Sequence, residues 1–252
     1  MLFRSDAGLR IIDLSGLYTR GPLAGLPIPP EQRGSLIDED GDREDDRIIG
    51  RYDSTEGQML SVAYPPEGGR RLYVGVGSLD TKQNKYVGGS VAQFDIGDPS
   101  RPTRLSSAKT SPGPAFGVDV RGQRLLAAAG IAGMQGFDIS YSPFLLNTLR
   151  TDAEVDAKEA SALAVEGAFA VLGTGTWKPS GRFDNGKLHS VRVEGVPEKT
   201  DSMPLSVQRV RLRSGLAVVA AGDSGLVLVD LGANGKLTQR GRVPKEELKG
   251  FA

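Results

Sequence analysis

The sequence contains no cysteine, one histidine and one tryptophan among 252 residues. Without cysteine the chain forms no disulfide, no thiolate zinc site and no cysteine nucleophile. Net charge is also absent, because 31 Lys and Arg balance 31 Asp and Glu. We therefore expect no chain-wide basic field of the kind that attracts nucleic acid.

Long apolar runs are missing as well. The longest blocks, Leu216–Ala221 and Leu226–Val229, have the length of a strand. A membrane-spanning helix needs about 18 apolar residues or more, so we expect no membrane insertion. Glycine and proline are abundant instead, with 34 and 15 residues. This composition favours a turn-rich β protein over a helical bundle.

A short sequence motif recurs along the chain: a glycine, a run rich in strand-forming residues, an acidic residue and an apolar residue. It occurs at Gly8–Leu14, Gly89–Ile96, Gly133–Ile139, Gly186–Val193 and Gly225–Leu231. Further repeated motifs flank it, so each repeat unit contains about four short strands, named a, b, c and d in chain order. Four strands in every 40–50 residues or so are typical of a propeller blade, which buries both faces of its sheet against neighbouring blades.

Three segments carry a family resemblance: Gly8–Ser15, the turn Asp98–Pro102, and the stretch Val118–Gly130. They resemble the LVIVD repeat, over residues 7–14 and 47–243. The resemblance implies a β-propeller in a bacterial or archaeal extracytoplasmic or cell-surface protein, and implies no particular activity. The fourth repeat departs from the pattern, because Arg192 stands where the other repeats have Asp.

Counting motifs predicts an all-β, partial β-propeller of four complete four-stranded blades and a half blade. The half blade consists of strand c at Gly8–Leu14 and strand d at Arg47–Tyr52. We interpret residues 1–252 as one propeller domain, truncated at both ends and belonging to a larger protein. Two short stretches, Ala153–Ala164 and Lys245–Leu248, are weak helix candidates in the d–a connections.

The half blade is interrupted by an insertion at residues 15–46, which is rich in Pro and Gly at first and then acidic. Asp38–Asp46 holds seven acids and one Arg, a local net charge of −6 that leaves +6 for the rest of the chain. Asp38, Asp40, Asp42 and Asp45 have the spacing of a calcium loop. Gly41 and Arg43 depart from that pattern, and a solvated acidic loop is the alternative.

Two of the four b–c connections are about ten residues long, at Ser78–Gly88 and Thr176–Asn185. By analogy with other propellers, these lie on the face that usually binds ligands. Aromatic rings beside cations could hold a protein, a glycan or an anionic polymer. The candidate binding residues are Lys82, Lys85, Tyr86, Trp177, Lys178, Arg182 and Phe183. The alternative is that Trp177 and Phe183 fold back over strand edges.

Catalytic patterns are weak. Gly222-Asp-Ser-Gly225 is interpreted as a hairpin turn, because the equivalent Gly130–Gly133 has no Ser and the only His, His189, lies in another blade. The glycines of Gly75-Val-Gly77 and Gly173-Thr-Gly175 are expected at positions of close blade packing. The recurrent acids Asp95, Asp119, Asp138 and Asp230 are expected to accept hydrogen bonds from turn N–H groups.

These observations predict a non-enzymatic interaction scaffold for a protein or glycan, with no cofactor other than possible calcium. One alternative is the propeller of a hydrolase or quinoprotein-like enzyme with an axial site. Several carboxylates converging at the axis would favour that alternative, and small or apolar axial residues would favour the scaffold. Another alternative is a structural spacer that binds no ligand.

The first prediction concerns calcium. If Asp38–Asp46 is a solvated loop, titration with millimolar calcium should give no heat in calorimetry and no shift in melting temperature. A calcium-dependent rise in melting temperature that is lost in Asp40→Asn would contradict this and support the metal loop.

Overall fold

The fold is a partial β-propeller of antiparallel sheets, as the repeats predict. The computed structural model describes residues 2–4, 8–12, 48–55, 57–110, 112–149, 158–178 and 180–248. These contain 19 strands arranged as one three-stranded and four four-stranded sheets. The insertion at 15–46, with Asp38, Asp40, Asp42 and Asp45, lies outside the described residues.

Each four-stranded sheet is one blade, with its strands in chain order from the inner edge outwards. The first sheet contains β1 (Leu2–Arg4), β2 (Gly8–Ile12) and β3 (Ile48–Tyr52). Blade 1 contains β4 (Gln58–Ala63), β5 (Arg71–Asp80), β6 (Lys85–Asp95) and β7 (Thr103–Lys109). Blade 2 contains β8 (Gly117–Arg121), β9 (Arg124–Ala128), β10 (Met134–Asp138) and β11 (Phe144–Leu149). Blade 3 contains β12 (Glu159–Glu166), β13 (Phe169–Lys178), β14 (Arg182–Arg192) and β15 (Glu198–Pro204). Blade 4 contains β16 (Arg209–Arg213), β17 (Leu216–Ala220), β18 (Leu226–Leu231) and β19 (Leu237–Val243).

Two strands were not predicted from the sequence. β1 pairs with β2, so the half blade has a third strand. β15 is the outer strand of blade 3, where the sequence Glu198–Pro204 has little apolar alternation. Outer strands are exposed on more sides than inner ones, so the hydrophobic pattern marks them least clearly.

The helix candidate Ala153–Ala164 is wrong over its described part. Residues from Glu159 onward form β12, whose side chains are mostly buried between blades. Tertiary packing outweighs the local helical preference of this alanine-rich stretch. Lys245–Leu248 forms a single 3₁₀ turn. In the described part of the chain, no helix is long and apolar enough to cross a membrane.

Apolar layers between adjacent sheets form the core. One layer joins the first sheet to blade 1 through Leu9, Leu72 and Phe94. The next layers lie between blades 1 and 2, blades 2 and 3, and blades 3 and 4. Because a strand points alternate side chains to opposite faces, each inner blade contributes to two of these layers.

Small residues allow neighbouring blades to approach each other near the axis. A methyl group added at Gly75 of blade 1 would overlap the carbonyl oxygen of Ala115, which leads into β8. One added at Gly173 of blade 3 would overlap Val207, which leads into β16. The expected role in close blade packing is confirmed for Gly75 and Gly173, whereas a methyl group at Gly77 or Gly175 would meet residues of its own blade.

The long b–c connections are extended hairpins. β5 and β6 continue to Asp80 and Lys85, and β13 and β14 continue to Lys178 and Arg182. The side chain of Asp80 accepts hydrogen bonds from the N–H groups of Lys82 (2.9 Å) and Gln83 (3.3 Å), which closes the first turn. Ladder hydrogen bonds therefore hold the candidate binding residues near the hairpin tips.

The second prediction tests the close approach of blades. Gly75→Ala should lower the free energy of unfolding by about 1–3 kcal/mol, because the new methyl group would overlap Ser61 and also the backbone carbonyl oxygen of Ala115, which cannot rotate away. Gly88→Ala in the same blade is the matched control, since nothing lies within 4 Å of its added methyl group. Urea unfolding measures both variants, and equal stability would contradict the packing argument.

Candidate functional site

The inner strands of all four blades surround an axial cavity of about 280 Å³. β4, β8 and β12 line it mainly with small and apolar residues such as Leu60, Gly117 and Ala162. β16 contributes Arg209 and Arg211. The cavity is therefore apolar on three sides and cationic on the fourth.

An aromatic cluster lies beside this cavity, where the two long hairpins meet. Phe116, which precedes β8 and lines the cavity, stacks on Trp177 with ring centroids 5.4 Å apart. Tyr86 from the blade 1 hairpin and Phe183 from the blade 3 hairpin contact Phe116 edge-on, at 5.3 and 4.9 Å. Trp177 also contacts Tyr86 (5.7 Å) and Phe183 (5.0 Å) edge-on. The two hairpins thus share one platform, to which blade 2 contributes Phe116.

The structure brings three predicted site residues together directly: Tyr86, Trp177 and Phe183. Phe183 is only 2% exposed, so it supports the platform from below. This agrees with the alternative that Phe183 folds back over strand edges. Tyr86 and Trp177 remain half-buried, and each leaves part of its ring at the surface.

The four predicted cations lie on the two hairpins and differ in exposure. Lys82 and Lys85 are exposed on the blade 1 hairpin. Lys178 and Arg182 are half-buried on the blade 3 hairpin, and Arg182 forms an ion pair of 3.0 Å with Asp223 of blade 4. Arg182 is therefore partly neutralised, whereas the two lysines face solvent.

Residues that the sequence analysis missed hold the platform in place. Gln208 accepts a hydrogen bond from the N–H of Phe183 (2.9 Å) and donates to its carbonyl oxygen (2.5 Å). The Tyr86 hydroxyl donates to Gln58 Oε1 at 2.6 Å. Phe116 was also missed. Its alternating apolar context suits any core strand, and its partners come from blades 1 and 3.

Burial and neighbouring charges shift the pKa values of the ionisable groups near the platform. Burial raises the pKa of Tyr86, and the nearby Arg209 opposes this rise. Burial within the protein lowers the pKa of Arg209, and repulsion from Arg211 lowers it further, although part of the side chain is exposed through the cavity. Burial raises the pKa of Glu159, opposed by Lys85. Tyr86 therefore stays neutral at pH 7, and Arg209 stays cationic.

The carboxylates on the described inner strands are engaged separately. Asp119 of blade 2 accepts hydrogen bonds from the N–H groups of Val120 (2.9 Å) and Val165 of blade 3 (2.8 Å). Glu166 accepts from the N–H groups of Ser214 and Gly215 in blade 4. Among the described residues, no group of three or more His, Asp or Glu side chains could hold a metal ion.

The other sequence motifs have structural roles. Asp95 accepts from the N–H of Gly97 (2.7 Å) and Asp138 from that of Ser140 (2.8 Å), which confirms the turn role expected for these two acids. Asp119 instead accepts from the backbone of β8 and β12, and Asp230 pairs with the Arg240 side chain (2.7 Å). Gly222–Ser224 forms a short 3₁₀ turn, as expected for a hairpin connection. His189 is fully buried in blade 3, with Nε2 3.0 Å from Thr174 Oγ1.

Strand order, blade stacking and the axial cavity together define the class of protein: a partial β-propeller. No family model matches the sequence, and no curated protein matches it. Solved structures do match. Sqt1 from Chaetomium thermophilum is 13% identical, with a TM-score of 0.54 over 72% of this chain and 46% of that one.

Two further structures share the fold. The computationally designed protein Ika8 is 11% identical, with a TM-score of 0.52 over 79% of this chain and 54% of that one. A candidate 6-phosphogluconolactonase from Bacteroides uniformis is 12% identical, with a TM-score of 0.57 over 77% of this chain and 59% of that one. The chain spans about half the length of the structures it matches, and at these identities the likeness shows the fold alone.

The third prediction uses opposite pKa shifts. Burial raises the pKa of Asp119 above its ordinary 3.8, whereas hydrogen bonds from Ser140 lower that of Asp138. As the pH falls from 7 towards 3.8, wild type should gain stability relative to Asp119→Asn, because its folded state binds the proton more tightly. Below pH 3.8, wild type should lose stability relative to Asp138→Asn.

Urea unfolding of the three proteins across this pH range measures the two differences. Asp138→Asn serves as the control, since it removes a carboxylate from the same blade. Stability differences that change in the same direction with pH for both variants would contradict the assignment.

Proposed function

We propose that this chain is a non-enzymatic interaction scaffold that binds a protein or glycan at the hairpin end of its axial cavity. The observation that carries the proposal is the convergence of two extended hairpins from blades 1 and 3 on Phe116 of blade 2. A surface built from three blades has a fixed shape, so little ordering entropy is lost when a partner binds.

The chemistry of this hairpin surface, formed by Lys82, Lys85, Tyr86 and Trp177, favours an anionic partner. Lys82 and Lys85 are exposed beside the half-buried rings of Tyr86 and Trp177. Aromatic side chains supply contact area at low entropic cost, and neighbouring cations attract carboxylates or acidic sugars. An acidic protein segment or an acidic glycan fits both features.

The arrangement of acids also supports the scaffold over an enzyme with an axial site. Such an enzyme requires several carboxylates that converge on one point. On the described inner strands, Asp119 and Glu166 each accept two backbone hydrogen bonds, and Glu159 lies near Lys85. Arg209 and Arg211 are the charged groups that line the cavity.

The setting of the scaffold is part of the same proposal. The resemblance to LVIVD repeats supports an extracytoplasmic or cell-surface protein. The spacer hypothesis differs in one respect, because a spacer has no ligand of its own. A binding experiment therefore separates the two.

The fourth prediction tests the hairpin surface with immobilised full-length chain, a glycan array and a displayed library of random peptides. We expect acidic ligands to be enriched. Lys82→Ser/Lys85→Ser should weaken binding of the selected ligands by about fivefold, within the limit set by two exposed ion pairs of up to about 1 kcal/mol each. Trp177→Ala should weaken them further through lost ring contact.

The matched control is Arg101→Ser/Lys236→Ser, which removes the same charge from c–d turns at the opposite end of the blades. This variant should bind as wild type does. Melting temperatures identify any variant whose fold is damaged. Absence of any ligand would overturn the proposal in favour of the spacer, and equal losses in the lysine and control variants would show non-specific charge attraction.

A further inference from the structure

The outward face of blade 4, on the side away from blade 3, differs from the equivalent faces of the other blades. Leu226 lies on β18, the third strand of blade 4. The equivalent residues of blades 1 to 3 are Val91, Met134 and Leu188, and all three are fully buried. Leu226 is half-buried, as are its neighbours Val218 and Leu228. These side chains form an apolar patch that nothing in the described part of the chain covers.

Arginines border this patch along the inner strand β16. Arg209 of β16 pairs with Ala220 of the neighbouring strand. The residues that occupy the same paired position in the other blades are Ser61, Gly117 and Ala162. Those three positions are small because the next blade packs against them. A methyl group at Gly117 would already lie 2.9 Å from the backbone nitrogen of Leu163. A segment seated on blade 4 in the same way would overlap the Arg209 side chain.

The cationic row contains Arg209, Arg211 and Arg213, at alternate positions of one strand and all exposed. Within the described residues, none of the three has a carboxylate within 4.0 Å, whereas Arg182 and Arg240 are both paired. Alternate strand residues lie about 7 Å apart on one face, so the three charges repel one another at close range. Burial lowers the pKa of Arg209, and repulsion from Arg211 lowers it further.

We propose that this face of blade 4 is a second docking surface, for an acidic segment of a partner protein that also carries apolar side chains. The carboxylates would neutralise the arginine row, and the apolar side chains would cover Val218, Leu226 and Leu228. This charge complementarity selects the occupant. Nucleic acid would satisfy the arginines, but its phosphates gain nothing from covering aliphatic side chains, and the patch offers no aromatic ring for base stacking.

This surface meets the axial cavity of the proposed function at Arg209 and Arg211, which line that cavity, but it includes none of the hairpin residues. Its inner edge is β16 and its remaining area is the sheet of β17 and β18. Lys82 and Lys85 take no part in it. Leu226→Ser/Leu228→Ser alters this surface alone, and Lys82→Ser/Lys85→Ser alters the hairpin surface alone, so the failure of one proposal can be distinguished from the failure of the other.

The fifth prediction uses a fluorescein-labelled peptide of Glu and Leu in equal number, with poly-Glu and single-stranded DNA of the same length as comparison probes. Fluorescence anisotropy with the full-length chain should show that the mixed peptide binds more tightly than either polyanion. Arg211→Ser/Arg213→Ser should weaken it by about tenfold, which lies within the limit of about 25-fold set by two exposed ion pairs worth up to about fivefold each. Leu226→Ser/Leu228→Ser should weaken it while leaving binding of the two polyanions unchanged.

Arg101→Ser/Lys236→Ser removes the same charge from the c–d turns, is the matched control, and should leave the affinity for the mixed peptide unchanged. A loss of affinity in Lys82→Ser/Lys85→Ser that equals the loss in Arg211→Ser/Arg213→Ser would assign the peptide to the hairpin surface and overturn this proposal. Melting curves show whether each variant is folded. Equal affinity for DNA and for the mixed peptide would overturn the proposal in favour of a general polyanion site. Self-association in sedimentation, lost in Leu226→Ser/Leu228→Ser, would overturn it in favour of a second copy of the chain.

Discussion

The structure depends on the burial of both faces of blades 1, 2 and 3 against the sheets on either side of them. A single four-stranded sheet with two apolar faces is unstable in water, so each blade requires the next one. Close approach near the axis is possible because positions such as Gly75, Gly117 and Gly173 carry no side chain. These contacts set the angle between blades, and that angle brings two hairpins from non-adjacent blades to the same point.

Hydrogen bonds between blades fix this arrangement more specifically than apolar packing does. Asp119 of blade 2 bonds to the backbone of blade 3, and Glu166 of blade 3 bonds to the backbone of blade 4. Gln208, at the start of blade 4, bonds to the backbone of Phe183 in blade 3. A buried or half-buried acceptor must find a donor, so each of these residues restricts how the next sheet can sit.

The hairpin surface and the outward face of blade 4 illustrate two consequences of repetition. Where the repeat is kept, small residues allow blades to stack, and the side chains between them are buried. Where the repeat is broken, polar and aromatic side chains are exposed. Two hairpins are longer and carry aromatic rings and lysines, and β16 carries Arg209 where the other blades have a small residue. The departures from the repeat are therefore the places where we propose binding.

The sequence by itself determined the blade pattern, because alternating apolar residues and turn-forming glycines are local signals. It identified nearly every strand of the four blades, but it missed β1 and β15, whose pairing depends on neighbours more than on their own pattern. It also identified Tyr86, Trp177 and Phe183 without relating the two hairpins to each other. Only the tertiary structure decided that these rings meet on Phe116, that Phe183 is buried, and that Arg209, Arg211 and Arg213 share an uncovered face. Such contacts join residues far apart in the chain, and the geometry of blade stacking, which no local pattern encodes, brings them together.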